Sequence, residues 1–289
     1  MKKKIFIMAA TAISAGLLFT SCKKKEVEDN DTEGARDHAF AETVSNDVVN
    51  IGNQASYNNL STYKLGNPNN DLSTCAVITF DTLNNTDVDT IDVDFGTGCT
   101  PMYGRTRKGL LRFIYTAGMH YRDSACVINV STPGNTYYVD NNQVMISSKT
   151  ITNKGHVVGG MLTWNVTASI TVNRSNGGHV SWNTNKTKVL IAGEKPLNQP
   201  IDWPNAKIGI YGSANGTTAK GESFSANVSQ ANMLVRDFTC GSFRRFFVKG
   251  ILEFTPGSKP TRYINFGTGN CDDQAVVTIN GHSYNVTLH

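Results

Sequence analysis

Cys22 is the residue whose type and neighbours point most directly to chemistry. It follows three lysines at positions 2–4, an apolar run over residues 5–19, and the small residue Ser21. A small residue before a cysteine, directly after a short apolar run, is the pattern that lipoprotein signal peptidase cleaves. The predicted chemistry is therefore transfer of diacylglycerol to the Cys22 thiol, cleavage before Cys22, and acylation of the new amine, with palmitate among the expected chains.

The segment around Cys22 divides into a removed signal and a tether. The apolar run is shorter than the roughly 20 residues that span a bilayer as a helix, and its basic start is typical of a processed signal. We expect residues 1–21 to be a lipoprotein signal peptide and residues 22–36 to be a charged tether with too few apolar residues to order itself. Acyl chains on Cys22 are the predicted membrane contact, because two or more chains hold a protein firmly at a bilayer.

Removal of the signal also changes the charge of the protein. The formal net charge falls from +4 for the whole sequence to about +1 once the three lysines leave. Binding of nucleic acid through a general basic surface needs a clear excess of positive charge. We therefore expect no nucleic-acid partner.

Five cysteines remain after the lipidation site, and an odd number leaves at least one thiol free. Disulfides are permitted outside the cytoplasm. The segment 91–99 is echoed by 263–271 with one residue inserted, and each copy ends in a cysteine that follows an earlier one. We expect Cys126 to be a buried, unreactive thiol, and two disulfides of about 3 kcal/mol each, Cys75–Cys99 and Cys240–Cys271.

Recognisable catalytic motifs are missing from the sequence. It contains no nucleophile elbow, zinc helix or phosphate-binding glycine loop, and its six histidines are scattered singly. We expect no cofactor and favour a protein without enzymatic activity. A glycan-active hydrolase remains a less favoured alternative, because it needs two carboxylates roughly 5–10 Å apart across a cleft, which a sequence cannot show.

Three surface features have possible binding roles. The basic segments 104–109 and 244–245 could grip an anion, although a solvated turn is the favoured interpretation of the first. Trp203, in a proline-rich loop, is a candidate sugar-stacking ring. A cluster of five acids has two explanations, a calcium site or the solvent-facing side of a strand. These acids are Asp81, Asp87, Asp89, Asp92 and Asp94.

One helix and many strands must position these residues. Apolar residues recur at helical spacing over residues 37–56. Segments within residues 57–289 alternate between apolar and polar, as over 162–173, and are separated by turn signals such as residues 213–216 and Asn280-Gly281. The prediction is a mainly β protein, a large antiparallel meander that forms a curved sheet or barrel-like sandwich, with the helix covering an open end or edge. Two β-subdomains divided near residues 193–205 are the alternative.

Together, the lipidation signal, the helix after a charged tether, the segments 94–99 and 104–109, and the closing cysteine hairpin resemble a family of uncharacterised Bacteroidota-type lipoproteins. The resemblance implies a lipid-anchored protein of the cell envelope, at the outer membrane on its periplasmic or surface face. It implies no activity, ligand or catalytic residue.

The leading expectation is a non-enzymatic binding or structural component of the envelope, with an unidentified glycan or protein as a possible ligand. The alternative is a carrier that encloses an apolar ligand between the curved sheet and the helix. The carrier requires an unfilled interior, so the two expectations differ in a feature that the fold can reveal.

Overall fold

The computed structural model describes residues 33–56, 72, 75–81, 89–100, 105–196, 199 and 201–288. The lipidation site Cys22 and the signal lie outside these residues. The helix, α1, spans Glu33–Ala55 and so begins earlier than the predicted start at residue 37. Glu33 favours this earlier start, because an acidic side chain in the first turn complements the helix dipole and because it pairs with Lys220 at 2.5 Å.

Within the described residues, sixteen strands form one antiparallel sheet, which confirms the predicted mainly β, antiparallel fold. The strands are β1 Val77–Asp81, β2 Asp89–Asp94, β3 Arg107–Lys108, β4 Leu110–Tyr115, β5 Val127–Ser131, β6 Tyr138–Val139, β7 Asn142–Val158, β8 Met161–Asn173, β9 His179–Ala192, β10 Lys207–Thr217, β11 Ser223–Val228, β12 Leu234–Asp237, β13 Lys249–Pro256, β14 Arg262–Thr268, β15 Gln274–Ile279 and β16 His282–Thr287.

The strand order follows the chain with few departures. It runs β1-β2-β4-β5-β7-β8-β9-β10-β11-β13-β14-β15-β16, while β12 pairs with β10 and β13, and the short β3 and β6 pair with each other beside β7. Connections of two to five residues join six of the neighbouring pairs, which are β7–β8, β8–β9, β10–β11, β13–β14, β14–β15 and β15–β16. In the last one, Asn280 and Gly281 both have positive φ, as a tight hairpin turn requires, and this predicted turn is confirmed.

One predicted turn is wrong. Residues 213–216 continue β10 because they pair with β9 on one side and β11 on the other. Gly216 permits this close pairing, since a Cβ there would lie 1.9 Å from the Ser181 carbonyl oxygen. The described residues between β9 and β10 form no strand, but these two strands pair directly, and residues Asp31–His289 form one compact unit.

The helix lies inside the curl of the sheet, and the expectation that it covers an open end or edge is wrong. It contacts strands that are far apart in the sheet order, namely β2, β8, β9 and β13. Every residue from 44 to 55 is buried. A strongly twisted sheet of this many strands curls, and α1 fills the space that the curl encloses. Among the described residues, no helix combines the length and hydropathy needed to cross a membrane.

Both predicted disulfides are confirmed. Cys75 and Cys99 are bonded with their Cα atoms 5.7 Å apart, and Cys240 and Cys271 with theirs 5.2 Å apart. Cys126 is free and buried, and its burial raises the pKa of the thiol to about 11. The first disulfide ties the start of β1 to the segment after β2, and the second ties the segment after β12 to the start of β15.

Candidate ligand site between the helix and the sheet

Polar side chains of α1 meet polar side chains that point inward from the sheet. Lys186 on β9 donates to Glu42, with 4% and 3% of the two side chains exposed. Arg107 on β3 donates to Asp47 through Nε at 3.2 Å and also through Nη2. Both pairs join residues far apart in the sequence, so they fix the helix within the sheet.

Two further lysines complete what we call the buried polar cluster. Lys149 Nζ donates to Ser45 Oγ at 2.6 Å, and Lys188 Nζ donates to Asn50 Oδ1 at 2.8 Å. The cluster therefore consists of four helix residues and four sheet residues, which are Glu42, Ser45, Asp47 and Asn50 with Lys186, Lys149, Arg107 and Lys188.

Burial shifts the pKa values in and beside this cluster. Desolvation lowers the pKa of Lys149 to about 7, opposed by the nearby charge of Glu42. Desolvation also lowers the pKa of His38 to about 3, so the ring is neutral, and its Nδ1 accepts from Trp182 Nε1 at 3.1 Å. For Glu42, burial acts to raise the pKa, but the charge of Lys186 and its hydrogen bond lower it overall.

The contact between Lys149 and Ser45 has the geometry of a nucleophile beside a base. Both side chains are nevertheless buried, and they lie against the interior face of the sheet rather than at the pocket described below. A reaction needs a substrate to reach the nucleophile. The buried polar cluster is therefore a structural feature that positions α1.

An apolar pocket lies beside the cluster, between the first turns of α1 and the last strands of the sheet. Its volume is about 250 Å³. The residues that line it are Ala35, Arg36, Ala39, Phe40, Thr43, Arg105, Arg174, Phe246, Phe247, Leu252, Ile264, Phe266, Val277, Val286, Thr287 and Leu288.

Strand alternation and small helix residues explain why space is left here. Leu252, Ile264 and Val277 are inward residues of β13, β14 and β15, and all are buried. Ala35 and Ala39 lie on the same face of the helix, four positions apart, opposite this apolar wall. Their short side chains do not reach far enough to fill the gap between helix and sheet.

Two arginines at the pocket lie against one aromatic ring. The guanidinium carbon of Arg105 is 4.8 Å from the centre of the Phe40 ring, and that of Arg174 is 5.3 Å from it. Arg36 lines the same pocket and is exposed. The pocket thus combines an apolar wall with a positively charged rim.

The acids that pair with these arginines are not among the residues that line the pocket. Arg105 Nη1 donates to Asp140 at 2.7 Å, and Arg174 Nη1 lies 3.4 Å from Asp37. Burial raises the pKa of Asp37, against the opposing effects of the Ala219 amide and Arg174. The Nε atom of Arg105 is buried without a hydrogen-bond partner. No Asp or Glu is among the described residues that line the pocket.

The structure separates the basic side chains of segment 104–109, which all lie within the described residues 105–109. Arg105 lies at the pocket, Arg107 is buried against Asp47, and Lys108 lies 5.2 Å from the centre of the Tyr138 ring. A solvated turn is therefore the wrong interpretation of this segment, because two of its side chains are tied into the fold. The side chains at 244 and 245 lie outside the described residues.

The candidate sugar-stacking ring is not on the surface. Trp203 is buried, and its Nε1 donates to Asn53 Oδ1 of the helix at 2.8 Å. Trp164, by contrast, lies in the core as its strand pattern predicts. Exposed aromatic stacking at Trp203 is therefore excluded.

The acidic residues near β1 and β2 are engaged separately. Asp92 accepts two hydrogen bonds from Arg112 at 2.8 and 2.7 Å, Asp94 accepts from the Gly96 amide, and Asp89 accepts from the Gly118 amide. Asp87 lies outside the described residues. Within the described ranges, no group of three or more His, Cys, Asp or Glu residues is arranged to hold a metal ion.

The carrier alternative requires a cavity between the helix and the sheet, but the sequence did not identify the residues that line this pocket. The signal that could have located it is the pair Ala35 and Ala39, two small residues that lie four positions apart on one face of the helix. Comparisons with protein-family models, with curated proteins and with solved structures find no match to this chain.

Proposed function

We propose that this protein is a lipid-anchored component of the cell envelope that binds a small apolar ligand, without enzymatic activity, in the pocket between α1 and the last strands. The observation that supports this proposal is the pocket of about 250 Å³ walled by inward residues of β13 to β16. A ligand pocket of this kind is mostly apolar with a few convergent polar groups, and this one has that composition.

The arrangement of titratable groups favours binding over catalysis. The groups with the most strongly shifted pKa values, such as Lys149 and His38, are buried away from the pocket. The charged side chains that line the pocket are arginines, which hold their protons and so serve poorly as general acids or bases.

The anchor supports an envelope role. Cys22 precedes the start of α1 at Glu33 by eleven positions, a stretch that extends at most about 40 Å. Ala35 and Arg36, at the pocket, follow directly. The ligand site would thus lie within one short tether of the membrane surface.

Two experiments test the proposal. For the anchor, a Cys22→Ser variant should lose both palmitate labelling and sedimentation with membranes; equal membrane association of variant and wild type would refute it. For the pocket, residues 23–289 are exported behind a cleavable signal that lacks a lipidation cysteine, because the compact unit begins at Asp31.

The neutral apolar dye N-phenyl-1-naphthylamine then serves as the probe. We expect binding to one site and an affinity loss of about tenfold or more in Ala39→Trp, where the indole fills the pocket. Val157→Trp adds the same ring at an exposed position of β7 and is the matched control. Absence of dye binding to the wild type, or equal binding by both variants, would overturn the pocket assignment.

A further inference from the structure

We infer that the ligand of this pocket is a single-chain amphiphile with an anionic head group, held with its chain against the β13–β16 wall and its head at Arg36, Arg105 and Arg174. The inference rests on the proposed binding function and adds the chemical class of the ligand. It is carried by the geometry of the two ends of the pocket.

The apolar end fits one hydrocarbon chain. The deep residues Leu252, Phe266 and Val277 are all buried, so they present a dry wall that offers no hydrogen bond. The pocket volume of about 250 Å³ exceeds the roughly 150 Å³ cavity that holds benzene. It is below the ~300–1,000 Å³ of sites that enclose drug-sized ligands, which is too small for a lipid with two full chains.

The polar end is at the rim. The side chains of Arg105 and Arg174 are 19% and 24% exposed, which places them between the buried wall and solvent. Arg36 is exposed, and it has no ion-pair partner among the described residues. A chain bound against the wall would therefore bring its head group to this rim.

The charge of the rim selects an anion. Three arginines line the pocket, whereas the lining carries no carboxylate among the described residues. Asp140 and Asp37 pair with Arg105 and Arg174 through the Nη1 nitrogen of each arginine, and neither acid lines the pocket. Guanidinium binds carboxylate and phosphate through paired, charge-assisted hydrogen bonds.

The two inner arginines are held in place before a ligand arrives. Arg105 and Arg174 both pack against the Phe40 ring, so little order remains to be imposed on them when a head group binds.

The test compares ligands that share one chain and differ in the head. Dodecanoate, dodecyl phosphate, dodecanol and dodecyltrimethylammonium are titrated against residues 23–289 preloaded with N-phenyl-1-naphthylamine, below the micelle concentration of each. We expect both anions to displace the dye about tenfold more tightly than dodecanol, with the cation weakest. The advantage of the anions should shrink as salt is added.

Arginine variants locate the head group. Arg36→Gln and Arg105→Gln should each weaken dodecanoate severalfold and leave dodecanol unchanged. Lys154→Gln removes a positive charge from an exposed position of β7 and is the matched control, which should change neither ligand. A thermal melt of each variant identifies any loss of folding.

The possible failures are distinct. If the dye and dodecanol bind and Ala39→Trp blocks them, but the anions bind no better than dodecanol, the head-group inference is wrong and the binding function stands. If Arg36→Gln, Arg105→Gln and Lys154→Gln all leave the dodecanoate affinity unchanged, the anion does not bind at this rim. If neither the dye nor any of the chains binds, the proposed function itself fails.

Discussion

Lys186→Met breaks a buried ion pair, and water cannot reach Glu42 to replace the lost cation. Glu42 accepts from Lys186 at one carboxylate oxygen and from Asn46 Nδ2 at 3.0 Å at the other. Only 3% of the Glu42 side chain is exposed. The variant therefore leaves a carboxylate inside the curl of the sheet with one neutral hydrogen bond and no direct cation.

The expected cost is large on the scale of a single substitution. Removal of one partner from a buried pair destabilises a protein by about 3–5 kcal/mol. For a chain of this size, each kcal/mol lowers the melting temperature by roughly 2–4 °C, so we expect a decrease on the order of 10 °C. The double variant Glu42→Gln/Lys186→Met removes both charges, and its free energy of unfolding should lie within about 2 kcal/mol of the wild-type value.

Denaturant unfolding followed by tryptophan fluorescence measures these differences. Arg112→Met is the control at an exposed pair, because Arg112 contacts both carboxylate oxygens of Asp92 but 42% and 24% of the two side chains are exposed. Such an exposed pair is worth about 0.2–1 kcal/mol. The reasoning is refuted if Lys186→Met costs no more than Arg112→Met, or if the double variant is as unstable as the single one.

The pH dependence of the Lys186→Met penalty provides a second check. Lys149 is the neighbouring cation that interacts with Glu42, and its pKa is about 7 in the wild type. Below this pH its ammonium partly compensates Glu42, and Glu42 itself takes up a proton more readily once Lys186 is gone. The penalty should therefore be smaller at pH 6 than at pH 9, and a penalty independent of pH would contradict this account.

Three other predictions concern buried groups and cross-links. The disulfides close loops with sequence separations of 24 and 31, so reduction should remove about 3–4 kcal/mol for each; an unchanged melting temperature after verified reduction would contradict this. Cys126 should not react with Ellman's reagent at pH 8 until denaturant is added, because it is buried and its pKa is raised to about 11. Lys149→Met should stabilise the protein most below pH 7 and least above pH 10.5. The reason is that folding lowers the pKa of Lys149 from 10.5 to about 7, so the wild type gains stability as the pH rises through this range. A constant difference between variant and wild type would show that Lys149 titrates normally.

The strands were predictable because their signal is local. The alternation over 162–173 assigns Leu162, Trp164 and Val166 to one face, and all three are buried in β8. Asn280-Gly281 predicts its hairpin because few other residues adopt the backbone that the turn needs. Each inference depends on neighbours a few positions away, so the rest of the fold does not alter it.

The position of the helix depends on residues far away in the sequence. Val44, Val48 and Ile51 predict one buried face, and they are buried. The opposite face carries Glu42 and other polar residues, which a helix on a sheet edge would turn toward water. Glu42 is buried because Lys186 meets it from 144 positions away, a partnership that no local pattern contains.

The residues that line the pocket escaped prediction for the same reason. Arg105 belongs to a basic segment that looks like a solvated turn, and only the curl of the sheet brings it to Phe40 of the helix. Residues on β13 to β16 look like ordinary core positions until the small side chains of Ala35 and Ala39 leave them uncovered. A pocket is a property of several elements together, whereas a strand is a property of one.

The buried polar cluster and the pocket are linked through the rotation of α1. A shift of the helix by one residue would rotate it by about 100° and separate Glu42 from Lys186 and Asp47 from Arg107 together. Apolar contacts alone would tolerate such a shift better, because they have no direction. The charged pairs therefore hold the one helix orientation that turns Ala39 and Phe40 toward β13–β16. The ion pair that Lys186→Met removes therefore also keeps the pocket in shape. This variant should lose affinity for the dye even at temperatures where it remains folded.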